Sequence, residues 1–334
     1  MQPKRTGALP QLQPRRRPDP RMPRHASLIN SSAQSDLAHG TVIAVHGRQL
    51  LVDVEGDADS PRQAFARGRR NDACVGDKVH LSLLGRQQAA VEAIEPRSNL
   101  MQRSDGGRSK SLAANIGLAA MVVAGEPPFS EELLMRVLAV ADTESIDSLI
   151  IASKCDLDDS TTRIEPRLRL YESLGYRVIR LSAKGEPEDA LASLLPLLSG
   201  RSTLLLGQSG MGKSTLVNLL VPDADLATQE ISAALSSGRH TTSFCRMFTQ
   251  SERLPDGTAL IDSPGFQLFG IAHLSRSQLM HALPDFRPLI GQCRFSNCLH
   301  RDEPGCAVRH AIESGHIDAR RHQLYLRMLE ETLS

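Results

Sequence analysis

The 334-residue chain has no tryptophan, three tyrosines and eight phenylalanines. Stacking surfaces for bases are therefore scarce, and any contact with nucleic acid would have to rest on arginine and backbone groups more than on aromatic rings. Long apolar runs are missing as well. The best candidate, Ile116 to Ala124, is about half of the roughly 18 residues that a membrane-spanning helix needs. The basic start leads into no apolar segment with a small-residue cleavage site, so no secretory signal is read. A soluble cytoplasmic protein with no membrane partner is expected. Lysine is rare, six of 39 basic residues, so a lysine inside a motif is not a by-product of composition. Six cysteines in a chain of this length do not make a disulfide-stapled scaffold. With 40% hydrophobic and 23% charged residues, wholesale disorder and coiled coil are excluded, and the length allows two or three domains.

The net charge of +1 hides an asymmetry. Residues 1–30 hold seven basic residues against one acidic, leaving 32 basic and 37 acidic residues elsewhere. The body is thus no uniformly basic nucleic-acid binder, and polyanion contact must be local, in the start of the chain or in Arg62, Arg67, Arg69 and Arg70. Six prolines and no apolar period mark residues 1–36 as a disordered basic tail. Short alternating runs follow, Thr41 to Val45, Leu50 to Val54, Lys78 to Leu84 and Ala89 to Ile94, and predict a small all-β barrel over residues 37–100. Strand and helix patterns alternate from Ile116 to the helix starting near Gly212, which predicts a parallel α/β sheet covered on both faces over residues 110–273. Residues 274–334 read as helical with a cysteine-rich insertion.

Leu204 to Leu206 and then GQSGMGKST, residues Gly207, Gln208, Ser209, Gly210, Met211, Gly212, Lys213, Ser214 and Thr215, fit G-x-x-x-x-G-K-S/T between a strand and a helix. The glycines let backbone N–H groups turn inward around a polyphosphate, and the helix N-terminus adds its positive end. Lys213 is expected on the β- and γ-phosphates and Ser214 on Mg²⁺. This loop alone leaves ATPase and small-molecule kinase open.

Ser153, Lys154, Cys155 and Asp156 end one predicted strand, and Ser182 and Ala183 follow the next. A carboxylate at that sheet edge can accept from guanine N1–H and N2–H together, a contact adenine cannot match. The lysine stem would pack along the base, and a backbone N–H near Ala183 would meet its carbonyl. Asp262, Ser263, Pro264 and Gly265 then offer a D-x-x-G, with Asp262 near Mg²⁺ and the Gly265 N–H near a γ-phosphate. The base-reading pair precedes the phosphate loop, which predicts a circularly permuted GTPase, since all these elements share one sheet edge and a loop cut preserves it.

With these stretches stand AANI (Ala113 to Ile116), EIS (Glu230 to Ser232), GRHTT (Gly238 to Thr242), LIDSPGFQLFG (Leu260 to Gly270) and CRFSNCLHRDEPGCAV (Cys293 to Val308). Over residues 38–330 the chain resembles the ribosome small subunit-dependent GTPase A (RsgA) family. The resemblance implies an OB-fold barrel, a permuted P-loop GTPase domain and a C-terminal zinc domain. It also implies GTP hydrolysis stimulated by the small (30S) ribosomal subunit and its rRNA, in late subunit maturation by a monomeric factor. The sequence departs from the pattern at Ser153, where the family has Asn, and weaker guanine affinity is expected there. Met211 for Val and Ser263 for Thr are mild changes.

Directly after D-x-x-G, where many GTPases carry a water-orienting Gln, stands Phe266, which neither donates nor accepts. His240 is the candidate for that work, on a segment where Thr241 or Thr242 would meet Mg²⁺ and the γ-phosphate; the alternative is a loop histidine that contacts RNA. Cys293, Cys298, His300 and Cys306 have the residue types and spacing of a structural zinc site that contributes folding energy. Cys74, Cys155 and Cys245 read as core or loop residues, and His310, His316 and His322 as helix-face residues meeting RNA or solvent. The rival reading is an rRNA-binding module whose nucleotide site is a non-hydrolysing switch. Ser153 and Phe266 favour it; Lys213, Ser214 and Asp262 oppose it.

Overall fold

A computed structural model of the chain describes residues 37–57, 60–67, 72–105, 108–224 and 244–332. The predicted tail, Arg69, Arg70 and the EIS and GRHTT stretches lie outside the described residues.

Five strands open the fold: β1 (Ala38–His46), β2 (Gln49–Val54), β3 (Arg62–Ala66), β4 (Lys78–Leu84) and β5 (Gln88–Ile94). They pair in the order β1-β2-β3-β5-β4, and β1 pairs again with β4, closing a barrel. Alternation decides the inside: Val42, Leu50, Val52, Val79, Leu81, Ala89 and Val91 fill the barrel's own apolar core. Sequence periodicity finds four of these strands and misses β3, whose Arg62 breaks the pattern. Its guanidinium is nonetheless buried, donating to the Asp57 carboxylate and the Gly85 carbonyl, which compensates the charge.

A hairpin of β6 (Leu100–Asp105) and β7 (Arg108–Ala114) comes next, absent from the sequence prediction. Asn115, in the left-handed region at φ 55°, explains the AANI stretch: its amide donates to the Gly76 carbonyl while its oxygen accepts from the Ser98 N–H, both at 2.9 Å. The hairpin base is thereby stapled to the barrel. Ser104 donates its N–H to the Gly270 carbonyl at 2.8 Å, fastening β6 to the segment after D-S-P-G.

The α/β part runs β8 (Leu118–Val123), α1 (Glu131–Thr143), β9 (Asp147–Ala152), α2 (Asp158–Ser173), β10 (Arg177–Arg180), α3 (Pro187–Leu198), β11 (Ser202–Leu206), α4 (Lys213–Leu220), β12 (Arg246–Phe248) and β13 (Ala259–Asp262). Strands β10-β9-β8-β11-β13 are parallel in that order. Every residue of β8 is buried, as a strand covered on both faces requires. Helix α1 begins at Ser130, whose hydroxyl accepts from the Leu133 N–H, with Glu131 and Glu132 at its positive end. Strand β12 is antiparallel to β13 and also pairs with β1 of the barrel, Ala44 facing Arg246. Barrel and parallel sheet thus form one hydrogen-bonded ladder of eleven strands.

The remaining helices are α5 (Arg276–Ala282), α6 (Ala307–Glu313) and α7 (Ala319–Glu331). A capping box of Ser275 and Gln278 starts α5. Arg321 of α7 is 1% exposed and makes a two-pronged bond to Asp285 at 2.7 and 2.8 Å, its guanidinium stacked 5.3 Å from the Tyr171 ring of α2. Glu331, at the end of α7, accepts from the Ile271 and Ala272 N–H groups and pairs with Arg136 of α1. No helix among the described residues is long and apolar enough to cross a membrane.

Candidate nucleotide site and metal centre

The phosphate loop lies between β11 and α4, where the sequence places it. Gly207 has φ 144°, and a Cβ there would lie 2.5 Å from the Val122 carbonyl oxygen of the neighbouring strand, so a side chain cannot fit. Lys213 is buried and donates to the Gly207 and Gln208 carbonyls at 2.8 and 2.9 Å, bridging the loop it belongs to. Burial lowers its pKa and the Asp262 charge opposes that. Ser214 and Thr215 are exposed on the first turn of α4. The Gln208 side chain accepts from the Ser130 N–H at 2.6 Å, so the loop is also tied to the start of α1.

Asp262 ends β13, facing Leu205 of β11 on one side and Arg246 of β12 on the other. Burial pushes its carboxyl up, while Lys213 and Arg246 pull it down. Ser263 donates to the Leu205 carbonyl at 2.6 Å. Gly265 then packs directly on the phosphate loop: a Cβ on it would lie 3.0 Å from the Ser209 nitrogen and 3.1 Å from its Cα. The Phe266 N–H donates to the Gly207 carbonyl at 3.2 Å. The two segments that would share a γ-phosphate are therefore in contact.

Phe266 is buried, edge-on to Phe269, with the Arg103 guanidinium 5.5 Å from its ring centroid. Its side chain presents no polar atom, as its residue type implies. Beside it opens a cavity of about 930 Å³ whose lining includes Arg97, Arg103, Lys110, Phe244 and Gly265. The contribution of hairpin cations here has no sequence signal, because only tertiary packing of β6 and β7 brings them in. His240, Thr241 and Thr242 lie outside the described residues.

The guanine-reading candidates sit at the ends of β9 and β10. Asp156 is exposed, and the Ser182 hydroxyl donates to its Oδ1 at 2.6 Å while accepting from the Gly185 N–H at 2.9 Å. This orienting role of the Ser182 side chain is invisible in the sequence. Lys154 adopts a left-handed φ of 58° and donates to the Glu126 carbonyl at 2.9 Å. Cys155 bonds through its N–H to the Leu181 carbonyl, joining the two loops, and burial pushes its thiol up. Ala183 is half-buried beside Ser182. Ser153 points inward: it is 4% exposed, and its hydroxyl contacts the carbonyls of Met211 and Val123. Its hydroxyl thus ties the end of β9 to the phosphate loop.

Cys293, Cys298, His300 and Cys306 gather with all ligand atoms within 4.8 Å of one another. His300 Nδ1 lies 3.5, 3.5 and 3.4 Å from the sulfurs of Cys293, Cys298 and Cys306. Three thiols and one imidazole, largely buried, suit a tetrahedral metal ion of the zinc type. A left-handed φ of 60° at His300 turns the ligand loop, and Glu303 accepts from the Leu299 and Arg301 N–H groups at 2.8 Å. Tyr325 donates to the Leu299 carbonyl, and a His322 ring nitrogen lies 2.7 Å from the His300 carbonyl. His322 therefore supports this loop from α7, where a helix-face role toward RNA or solvent is the sequence expectation. His316 falls in the turn between α6 and α7, not on a helix. Cys74, Cys155 and Cys245 stay free of the cluster, as expected.

The sequence model of the RsgA GTPase family matches residues 94–272. The chain is 49% identical over 294 residues to the small ribosomal subunit biogenesis GTPase RsgA of Burkholderia pseudomallei (strain K96243), covering 88% of this chain and 92% of that protein. It is 48% identical over 307 residues to the protein of the same name from Paraburkholderia phymatum, covering 92% and 95%. Among solved structures it is similar to YloQ, a circularly permuted GTPase, with 26% identity, a TM-score of 0.64 and coverage of 91% and 98%. YjeQ from Thermotoga maritima is similar with 25% identity, a TM-score of 0.67 and coverage of 89% and 99%.

Proposed function

The chain belongs to the RsgA GTPase family, and from that premise we propose that it hydrolyses GTP to GDP and phosphate in response to the small ribosomal subunit, as a late assembly factor. The observation that carries the proposal is the contact of Gly265 with Ser209, which sets the D-x-x-G backbone against the phosphate loop on the sheet edge that also carries Asp156.

Asp156, held by Ser182, accepts from the guanine N1–H and N2–H groups, and the Ala183 N–H meets the base carbonyl. Lys213 exchanges its two carbonyl partners for β- and γ-phosphate oxygens. The Gly265 N–H senses the γ-phosphate, and the neighbouring hairpin, bonded to Gly270, moves with it. Ser214 and Asp262 are the residues that would hold Mg²⁺, which neutralises charge on the phosphates when bound. Phe266 cannot orient water, so that role is assigned to His240, with Thr241 and Thr242 on the same segment. The cysteine cluster would hold one structural Zn²⁺, and its contribution is to folding.

We assign residues 37–100 to an OB-type barrel, 110–273 to the permuted GTPase domain and 274–334 to the zinc-binding helical domain, with residues 1–36 a basic tail. Barrel, tail and zinc domain face rRNA, and the protein is a cytoplasmic monomer. Loss of the γ-phosphate reorients the zinc domain against the barrel and changes subunit affinity. The intact Lys213 and Asp262 weigh against a non-hydrolysing switch. Phosphate release from GTP and from ATP, with and without purified small subunits, tests the reading. Subunit-stimulated release from GTP alone supports it; no release, or equal release from ATP, overturns it.

A further inference from the structure

Outside the nucleotide site and the cysteine cluster, one more group of metal-ligating side chains comes together among the described residues: His39, His80 and Glu95, with ligand atoms all within 4.8 Å. Barrel closure creates it. His39 of β1 lies directly opposite His80 of β4 in the closing ladder. Val79 and Leu81, on either side of His80, point into the barrel core, so His80 points outward. Glu95 follows the last residue of β5 and donates its N–H to the Lys78 carbonyl at 2.9 Å. That bond sets its side chain on the same outer face, diagonal to His80 and within reach of a long side chain.

His39 Nδ1 and His80 Nε2 each lie 3.6 Å from the same carboxylate oxygen, Glu95 Oε1. This is too long for an N–H···O hydrogen bond, about 2.7–3.2 Å. It is close to the ligand-to-ligand edge of a tetrahedral site with metal bonds of about 2.0–2.1 Å, roughly 3.4 Å. The imidazole rings meet at 70° with centroids 4.6 Å apart, so they do not stack face to face. Glu95 has no Lys or Arg partner among the described residues; its ion pairs are these two histidines. Two imidazoles and one carboxylate form a donor set suited to a borderline divalent cation, with one coordination position left for water.

We propose that His39, His80 and Glu95 form a second divalent-cation site of the zinc class, on the outer face of the barrel where β1 closes against β4. The bound ion joins three separate pieces of chain and pins the seam. The test is the zinc content of the full-length chain without nucleotide, after dialysis against zinc and removal of free metal. Wild type retains two equivalents, and His39→Ala and His80→Gln each retain one; His39 is half-exposed and His80 lies on the outer face of the barrel, outside its apolar core, and unchanged far-ultraviolet circular dichroism confirms the fold. Cobalt in place of zinc separates the sites, because the cysteine cluster gives thiolate charge-transfer absorption. The wild-type minus His39→Ala difference spectrum contains only weak visible bands. A single equivalent in wild type, a second equivalent that survives both histidine variants, or thiolate bands in the difference spectrum would overturn the proposal.

Discussion

Replacing Gly265 by alanine adds one methyl group at the contact between D-S-P-G and the phosphate loop. Gly265 lies outside the left-handed region, so alanine meets no backbone strain there. The cost is contact alone: the new carbon would sit 3.0 Å from the Ser209 nitrogen and 3.1 Å from its Cα, both main-chain atoms that no rotamer can move. Restoring an ordinary separation of about 3.4 Å shifts the segments apart by about 0.4 Å. The Phe266 N–H to Gly207 carbonyl bond, now 3.2 Å, would then stretch to about 3.6 Å, beyond useful hydrogen-bond length. Losing that bond costs about 1 kcal/mol, roughly fivefold in an equilibrium. The loss falls on the state that needs both segments around a γ-phosphate. Subunit-stimulated kcat/KM for GTP should therefore fall about fivefold or more, while GDP affinity, measured with a fluorescent analogue, stays within about twofold. Unchanged GTP turnover, or equal weakening of GDP and of a non-hydrolysable GTP analogue, would refute the reasoning.

Three further outcomes are expected. Ser182→Ala removes the hydroxyl that orients Asp156; a hydrogen bond to a charged group is worth about 1.5 kcal/mol or more, so guanine-nucleotide affinity should fall about tenfold and selectivity over ATP should narrow, whereas an unchanged GTP-to-ATP affinity ratio would show that Ser182 does not act through Asp156. Asp285→Ala leaves the buried Arg321 charge uncompensated and should cost about 3–5 kcal/mol in urea unfolding; a loss below about 1 kcal/mol would contradict the burial. Arg180 bonds to Glu165 and Glu172 and holds both carboxyls below their ordinary 4.5. Their contribution is thus complete above that pH and lost as pH falls through the lowered values; these side chains are about a third exposed, so the effect is modest and salt-sensitive. Arg180→Ala should flatten the acid side of the stability profile, and an identical profile would remove the pair from the account.

Patterns carried by neighbours in sequence were legible: the barrel strands other than β3, the α/β alternation, the phosphate loop and the spacing of the cysteine ligands. Each is a local period or a fixed offset, which the side-chain sequence states directly. What escaped depends on distant segments meeting. Strand β12 has three residues and no period to detect; β3 hides behind the charge of Arg62. The hairpin of β6 and β7 is largely polar and is held by Asn115 and Ser104 through partners far along the chain. Ser153 illustrates the limit within the site itself. Its residue type tells what it lacks toward a base, but only the fold tells that its hydroxyl faces the Met211 carbonyl. His39 and His80 likewise become neighbours through barrel closure alone.

The pairing of β12 with β1 has a consequence for dissecting the protein. Inside the intact chain β12 is flanked on both sides, by β13 and by the barrel. Cutting the barrel away would turn it into a terminal strand with unpaired N–H and C=O groups, and unprotected edges recruit other chains. A GTPase fragment made without residues 37–100 would therefore be limited by self-association before any defect in nucleotide chemistry could be read. The barrel serves the sheet as its edge cover, whatever else it touches.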